Sequence, residues 1–235
     1  MSGPSRAPKL LLLSVALTLL LYALPFGRHL AYPLVLLSTV AHELGHGLAA
    51  LISGGSFERL SIYSNGSGVA LTSSTGLISR VVTLTGGLIG PACLSALGFK
   101  LSETGEGARR ALTWGGLLIL ICCVCFARNA FGFVFLGALG LGLMTLGQKA
   151  SLALCQLTLT FLSTQLALSV YSRADYLFTP VAELGGGRRM PSDVGQLEEL
   201  LLLPYWLWGA LIGGLSLLIL WLGVRRSLRA FLSNG

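Results

Sequence analysis

"TVAHELGHGLAALISGG", residues 39–55, places two histidines and a glutamate inside a run that otherwise reads as membrane. The chain has three histidines in 235 residues, and two of them stand here, four apart. On a helix, positions i and i+4 share one face, so His42 and His46 can aim both imidazoles at one point. Glu43 is rotated from His42 by about 100° at 3.6 residues per turn. It can therefore reach a water held at that point without being a ligand itself. This is H-E-x-x-H, the pattern of a zinc-binding helix in which the metal acidifies a water and the glutamate takes its proton. Two plainer readings compete: a histidine packed at a helix interface, and a polar pair gluing helices together. Glu43 weighs against both, because it is the one acidic residue well inside an apolar run. A carboxylate there costs several kcal/mol unless it is paired or working.

The surrounding chain is 54% hydrophobic and 11% charged. A water-soluble domain of this size needs more polar surface. The apolar runs are instead near 20 residues, the length of a bilayer-crossing helix. Seven are expected, at about 10–26, 32–53, 78–99, 111–127, 131–146, 151–171 and 201–224. The count falls to six if the short, Gly-rich fifth does not span. The expected class is an all-α polytopic membrane protein, with residues 1–235 as one membrane-embedded unit. The first run follows Arg6 and Lys9 like a signal peptide, but no small-x-small cleavage site follows it, so it reads as a retained helix.

Positive charge does not orient the chain, since the expected loops share the Lys and Arg residues evenly between the two sides. The net charge of +7 is spread along loops and tail. That distribution suits the anionic headgroups of a lipid bilayer, and no basic stripe points to nucleic acid. The five cysteines fall inside apolar runs without the paired spacing of a metal knuckle and read as small buried hydrophobes.

Two loops stand out. "SFERLSIYSNGSGVALTSS", 56–74, has β-branched and aromatic residues on both sides of Asn65-Gly66, a strong hairpin signal. "SRADYLFTPVAELGGGRRMPSDVGQLEEL", 172–200, is the longest polar stretch, with a flexible triplet Gly185-Gly186-Gly187. Ser192 is a good N-cap for a short helix leading into the last run. Gly86-x-x-x-Gly90 lets helices approach closely, and packing alone explains it.

"HELGHGLAALISGG", followed by the Ser/Asn/Gly hairpin and then "GGLIGPACLSALG", resembles the site-2 proteases, intramembrane zinc metallopeptidases, and most of all their compact bacterial branch. The resemblance runs weakly over residues 32–208 and is sharp around the zinc helix. It implies one Zn²⁺ per chain and hydrolysis of a peptide bond of a membrane-protein substrate. It also implies residence in the bacterial inner membrane. It makes His42 and His46 zinc ligands, Glu43 the general base, and matches Gly90-Pro91 to the family's Gly-Pro. Segment 31–100 then carries the zinc helix, hairpin and Gly-Pro helix.

The chain departs from the better-known members in lacking a Leu-Asp-Gly motif for the third ligand. Leu94 also stands where an Asn is usual after the Gly-Pro. Catalytic zinc needs three protein ligands and an open position. The two aspartates, Asp175 and Asp193, both lie in the 172–200 loop, on the side where the second run ends if the chain starts inside. His46 lies about 10 Å below that surface at 1.5 Å per residue, so a folded-back loop can reach it. Asp193, in a "PSD" context like that of the compact branch, is favoured over Asp175, with Glu183, Glu198 or no third ligand as further alternatives. The competing reading of Asp193 is a helix-start carboxylate stabilised by the macrodipole. Asn129 in "ARNAFGF" resembles a recurring residue of that branch and would donate to the developing oxyanion. An interfacial cap at the start of the fifth run explains Asn129 equally well.

Two functions follow. One is a membrane-embedded zinc endopeptidase acting on transmembrane or juxtamembrane segments. The other is a zinc-bound, non-proteolytic scaffold that grips helices. The hairpin would serve the first by accepting a substrate as an added strand.

Overall fold

The computed structural model describes residues 7–172, 175–183 and 189–232, so the expected flexible triplet at 185–187 lies outside the described residues. Helices α1 (Ala7–Ala23) and α2 (Gly27–Ile52) are followed by strands β1 (Ser56–Ile62) and β2 (Gly68–Ser73). Helices α3 (Leu77–Leu101), α4 (Gly105–Phe126), α5 (Ala130–Lys149) and α6 (Leu152–Ser172) come next. The chain then forms a short α7 (Asp175–Phe178), strands β3 (Val181–Glu183) and β4 (Arg189–Pro191), α8 (Asp193–Leu201) and α9 (Tyr205–Leu232).

Among the described residues, six helices are long and apolar enough to cross a membrane: those at His29–Ile52, Leu77–Leu101, Gly105–Phe126, Ala130–Lys149, Leu152–Tyr171 and Tyr205–Arg225. They fit an integral, multi-pass membrane protein. The expected fifth run is a full span; its backbone hydrogen bonding continues through Gln148 and Lys149, past the end of the apolar stretch. The short one is α1, which stops at Ala23 before Pro25 and Gly27. Proline there removes a donor and crowds the preceding turn, closing the helix.

The first hairpin forms where Asn65-Gly66 predicts it. Gly66 has φ +87°, a left-handed conformation that suits glycine, and the Asn65 side chain accepts from the backbone N–H of Ser67 at 3.1 Å. The strands pair antiparallel, Leu60 opposite Ala70 and Ile62 opposite Gly68, with an irregularity between Phe57 and Arg59. The outer edge of β1 is closed by the chain entering α5: Arg128 N–H donates to the Leu60 carbonyl at 3.1 Å. An edge so covered cannot pair with another strand. A second, shorter hairpin, β3–β4, forms within the polar loop.

Two apolar clusters fix the frame. Leu36 and Val40 of α2 pack with Phe57, Leu60 and Ile62 of β1 and Leu136 of α5. On the other side, Leu84 and Leu88 of α3 pack with Leu177, with Val194 and Leu197 of α8, and with Ile212 of α9. Between the clusters, α2 and α3 approach closely through small residues. A Cβ on Gly86 would overlap Ala49, and one on Gly90 would lie 2.7 Å from the Ala41 carbonyl. The spacing of Gly86 and Gly90 thus does packing work, as their sequence context predicts.

Candidate metal centre

The α2 period places His42 and His46 on one face, with their Nε2 atoms 3.1 Å apart and their rings edge to face at 89°. Asp193 completes a triangle: its Oδ2 is 3.1 Å from His42 Nε2 and 3.2 Å from His46 Nε2. Ligands bound about 2.0–2.2 Å from a tetrahedral metal lie about 3.3–3.6 Å from one another, a little wider than this triangle. The three donors therefore fit a single ion, and they form a group that could hold one.

Two of the corners are held from behind. His46 Nδ1 donates to the Thr83 carbonyl at 2.8 Å, which turns Nε2 towards the triangle. Gly87, one turn further along α3, makes room for the ring, since a Cβ there would overlap the His46 imidazole. Asp193 opens α8, whose N-cap is Ser192: its hydroxyl accepts from Gly195 N–H at 3.1 Å and donates to the Thr179 carbonyl at 2.6 Å. The serine thus ties the helix start to the segment after α7. Burial pushes the Asp193 carboxyl up, but attraction to His46 and hydrogen bonds from His42 and His46 outweigh it and hold it well below the usual carboxylate range. The carboxylate is an anion at neutral pH, which is the form a metal takes. A position in the first helical turn favours the same anion through the macrodipole, so the plainer reading of Asp193 holds alongside the ligand geometry.

Glu43 is buried, 6% exposed, and faces the hairpin. One of its oxygens, Oε2, accepts from Ala70 N–H at 2.7 Å. A Cβ on Gly68 would lie 2.7 Å from Glu43 Cγ, so β2 lies directly against this side chain. All four residues line one cavity of about 280 Å³, walled by residues 68–72 of β2, by Leu84, Leu88 and Pro91 of α3, and by Met190 of β4.

The other expected residues fall elsewhere. Asn129 clamps the peptide of Ile62, accepting from its N–H at 3.2 Å and donating to its carbonyl at 2.6 Å. That contact is on the outer edge of β1, across the hairpin from the strand that walls the cavity. Asn129 is not among the cavity residues, which removes the geometric basis for an oxyanion role. It precedes α5 without capping it through the side chain. Leu94 is 43% exposed, on the outside of α3. Asp175 begins α7, and its side chain lies outside the described residues. Glu183 is exposed and paired with Arg189 at 3.1 Å. Sequence reasoning passed over Thr83, whose contribution is a backbone carbonyl with no sequence signature, and Gly87, legible only as a small residue beside another. It also passed over the β3–β4 hairpin.

A family model described as Peptidase M50B-like matches residues 11–223. No curated protein and no solved structure matches the chain.

Proposed function

The chain belongs to the Peptidase M50B-like family, the site-2 proteases, and from that premise we propose that it is a membrane-embedded zinc endopeptidase. Its substrates on this reading are transmembrane or juxtamembrane segments of other membrane proteins. The observation that carries the reading is the triangle of His42 Nε2, His46 Nε2 and Asp193 Oδ2, with sides of 3.1–3.2 Å, in one cavity with Glu43.

Zinc, when bound, supplies Lewis acidity that lowers the pKa of a water towards 7 and polarises a peptide carbonyl. The chain's own residues do the rest. Glu43 takes the proton of the attacking water and returns it to the leaving amine nitrogen. The edge of β2 away from β1 walls the cavity, and on this reading the substrate lies along it as an extended strand, next to Ala70, whose own N–H is held by Glu43. Strand pairing would unwind a substrate helix and expose its peptide bonds. The leucines of α3 and the depth of the site keep bulk water away from the peptide while it is cut.

A scaffold reading is favoured by one contact. The Glu43 carboxylate that would act as base already holds Ala70 N–H, so it can serve to fix the hairpin alone. Metal analysis of purified protein tests the shared part of both readings. One zinc per chain in the wild type and loss of it in His46→Ala support them; stoichiometric zinc persisting in a His42→Ala/His46→Ala double variant refutes both.

A further inference from the structure

A peptide hydrolase needs a donor for the carbonyl oxygen that becomes negative, and the amide expected to supply it, Asn129, is spent on Ile62. Gln196 stands three residues after Asp193 on α8, so the two are neighbours on one helix face, about 5–6 Å apart at Cβ. It lines the same cavity as the three metal donors and Glu43. Helices α3 and α8 meet at two successive levels. At one, Asp193 reaches His46, which Thr83 holds. At the other, three residues earlier on α3, Arg80 reaches the Gln196 side-chain oxygen at 3.5 Å.

The amide of Gln196 is weakly held. Its nitrogen is 3.3 Å from the Pro191 carbonyl, and both of its contacts are exposed and at the long limit of a hydrogen bond. Several other donors around the cavity are committed by short bonds, the Thr72 hydroxyl of β2 being the main exception among the described residues. Thr39 donates to Gly66 at 2.6 Å, Thr83 to Ser79 at 2.8 Å, Ser169 to Leu166 at 2.7 Å and Ser192 to Thr179 at 2.6 Å. Among the described cavity residues, Gln196 is the side-chain amide able to turn inward at small cost.

We propose that Gln196 is a catalytic residue, its Nε2 donating to the carbonyl oxygen of the scissile peptide. This rests on the protease reading above. As the water oxygen bonds to the carbonyl carbon, the π pair moves onto the carbonyl oxygen, which Gln196 stabilises, and the water's proton goes to Glu43. The C–N bond then breaks, the carbonyl re-forms, and the proton passes to the departing nitrogen.

The test uses full-length protein in detergent, a transmembrane peptide as substrate, and a phosphinic peptide that mimics the tetrahedral intermediate. In Gln196→Leu, zinc content and KM should match wild type while kcat falls roughly 10²–10³-fold, the usual effect of losing one oxyanion donor. The phosphinic peptide should weaken by the same factor, and Gln196→Asn should recover part of both. Unchanged kcat and inhibitor affinity in Gln196→Leu overturn the proposal, as does a fall that tracks lost zinc, which would mean the side chain only supports α8. A fall in Thr72→Val but not in Gln196→Leu gives the role to the β2 hydroxyl instead. If wild type cleaves nothing, the protease reading fails on its own, and inhibitor affinity still reads Gln196.

Discussion

His46 donates its Nδ1 proton to the carbonyl oxygen of Thr83 across 2.8 Å. The bond joins α2, which carries the two candidate histidine ligands, to α3, and it fixes which ring nitrogen faces Asp193. A ligand oriented by backbone is hard to misplace, because no rotamer change can release the carbonyl. The close packing of α2 on α3 is therefore part of the candidate metal site, and glycines in that seam set the positions of its donors.

Gly87→Ala should expose that coupling. The new methyl overlaps the His46 ring, so the ring must shift or the helices must part, at a cost of about 1–3 kcal/mol. Zinc affinity should fall roughly 10–100-fold, as it does when the group behind a ligand is disturbed. Gly142→Ala, where an added Cβ meets nothing within 4 Å, should leave affinity unchanged. Chelator competition on the purified variants measures both, and equal affinities would contradict the account.

Asp193→Asn keeps the size of the side chain but removes the charge that completes the triangle. Zinc retention should drop at least as far as in Gly87→Ala, and Asp193→Ala should drop further. Glu198→Ala, on the same helix but outside the triangle, should retain the metal. Wild-type zinc content in Asp193→Ala would remove Asp193 from the ligand set, whatever happened to turnover.

Asn129→Ala loses two hydrogen bonds to Ile62 and uncovers the outer edge of β1. Leaving that buried peptide unsatisfied should cost about 1–3 kcal/mol, seen as a lower unfolding midpoint in detergent. Zinc content and turnover per folded molecule should stay at wild-type values. A fall in kcat at unchanged stability would instead restore the oxyanion role that the sequence context suggests.

Much of this was legible in the residues themselves. Apolar runs near 20 residues gave six of the seven expected spans, the first run forming only the shorter α1; the i, i+4 histidines gave two corners of the candidate site, and Asn65-Gly66 gave the turn of the hairpin. Ser192 read correctly as a cap, because capping is local chemistry. The shortfalls share one cause, that pairing between distant segments leaves no local pattern. Asn129 has the right chemistry for an oxyanion donor, but its partner lies 67 residues away on the outer edge of β1. Strands β3 and β4 are three residues each, too short for alternation to show. The fifth span looked short because its apolar stretch ends at Leu146, whereas helical hydrogen bonding runs on to Lys149.

The most direct test is peptide cleavage by Glu43→Gln beside wild type, at matched zinc content and membrane abundance. The substitution separates the two uses of this side chain. A glutamine oxygen can still accept from Ala70 N–H and hold the hairpin, but the amide cannot take a proton from water. If Glu43 is the general base, the variant keeps its zinc and still binds substrate, while turnover falls by a factor on the order of 10²–10⁴. If Glu43 only clamps β2, the variant behaves as wild type, and full cleavage or full cellular function in Glu43→Gln would contradict the protease account.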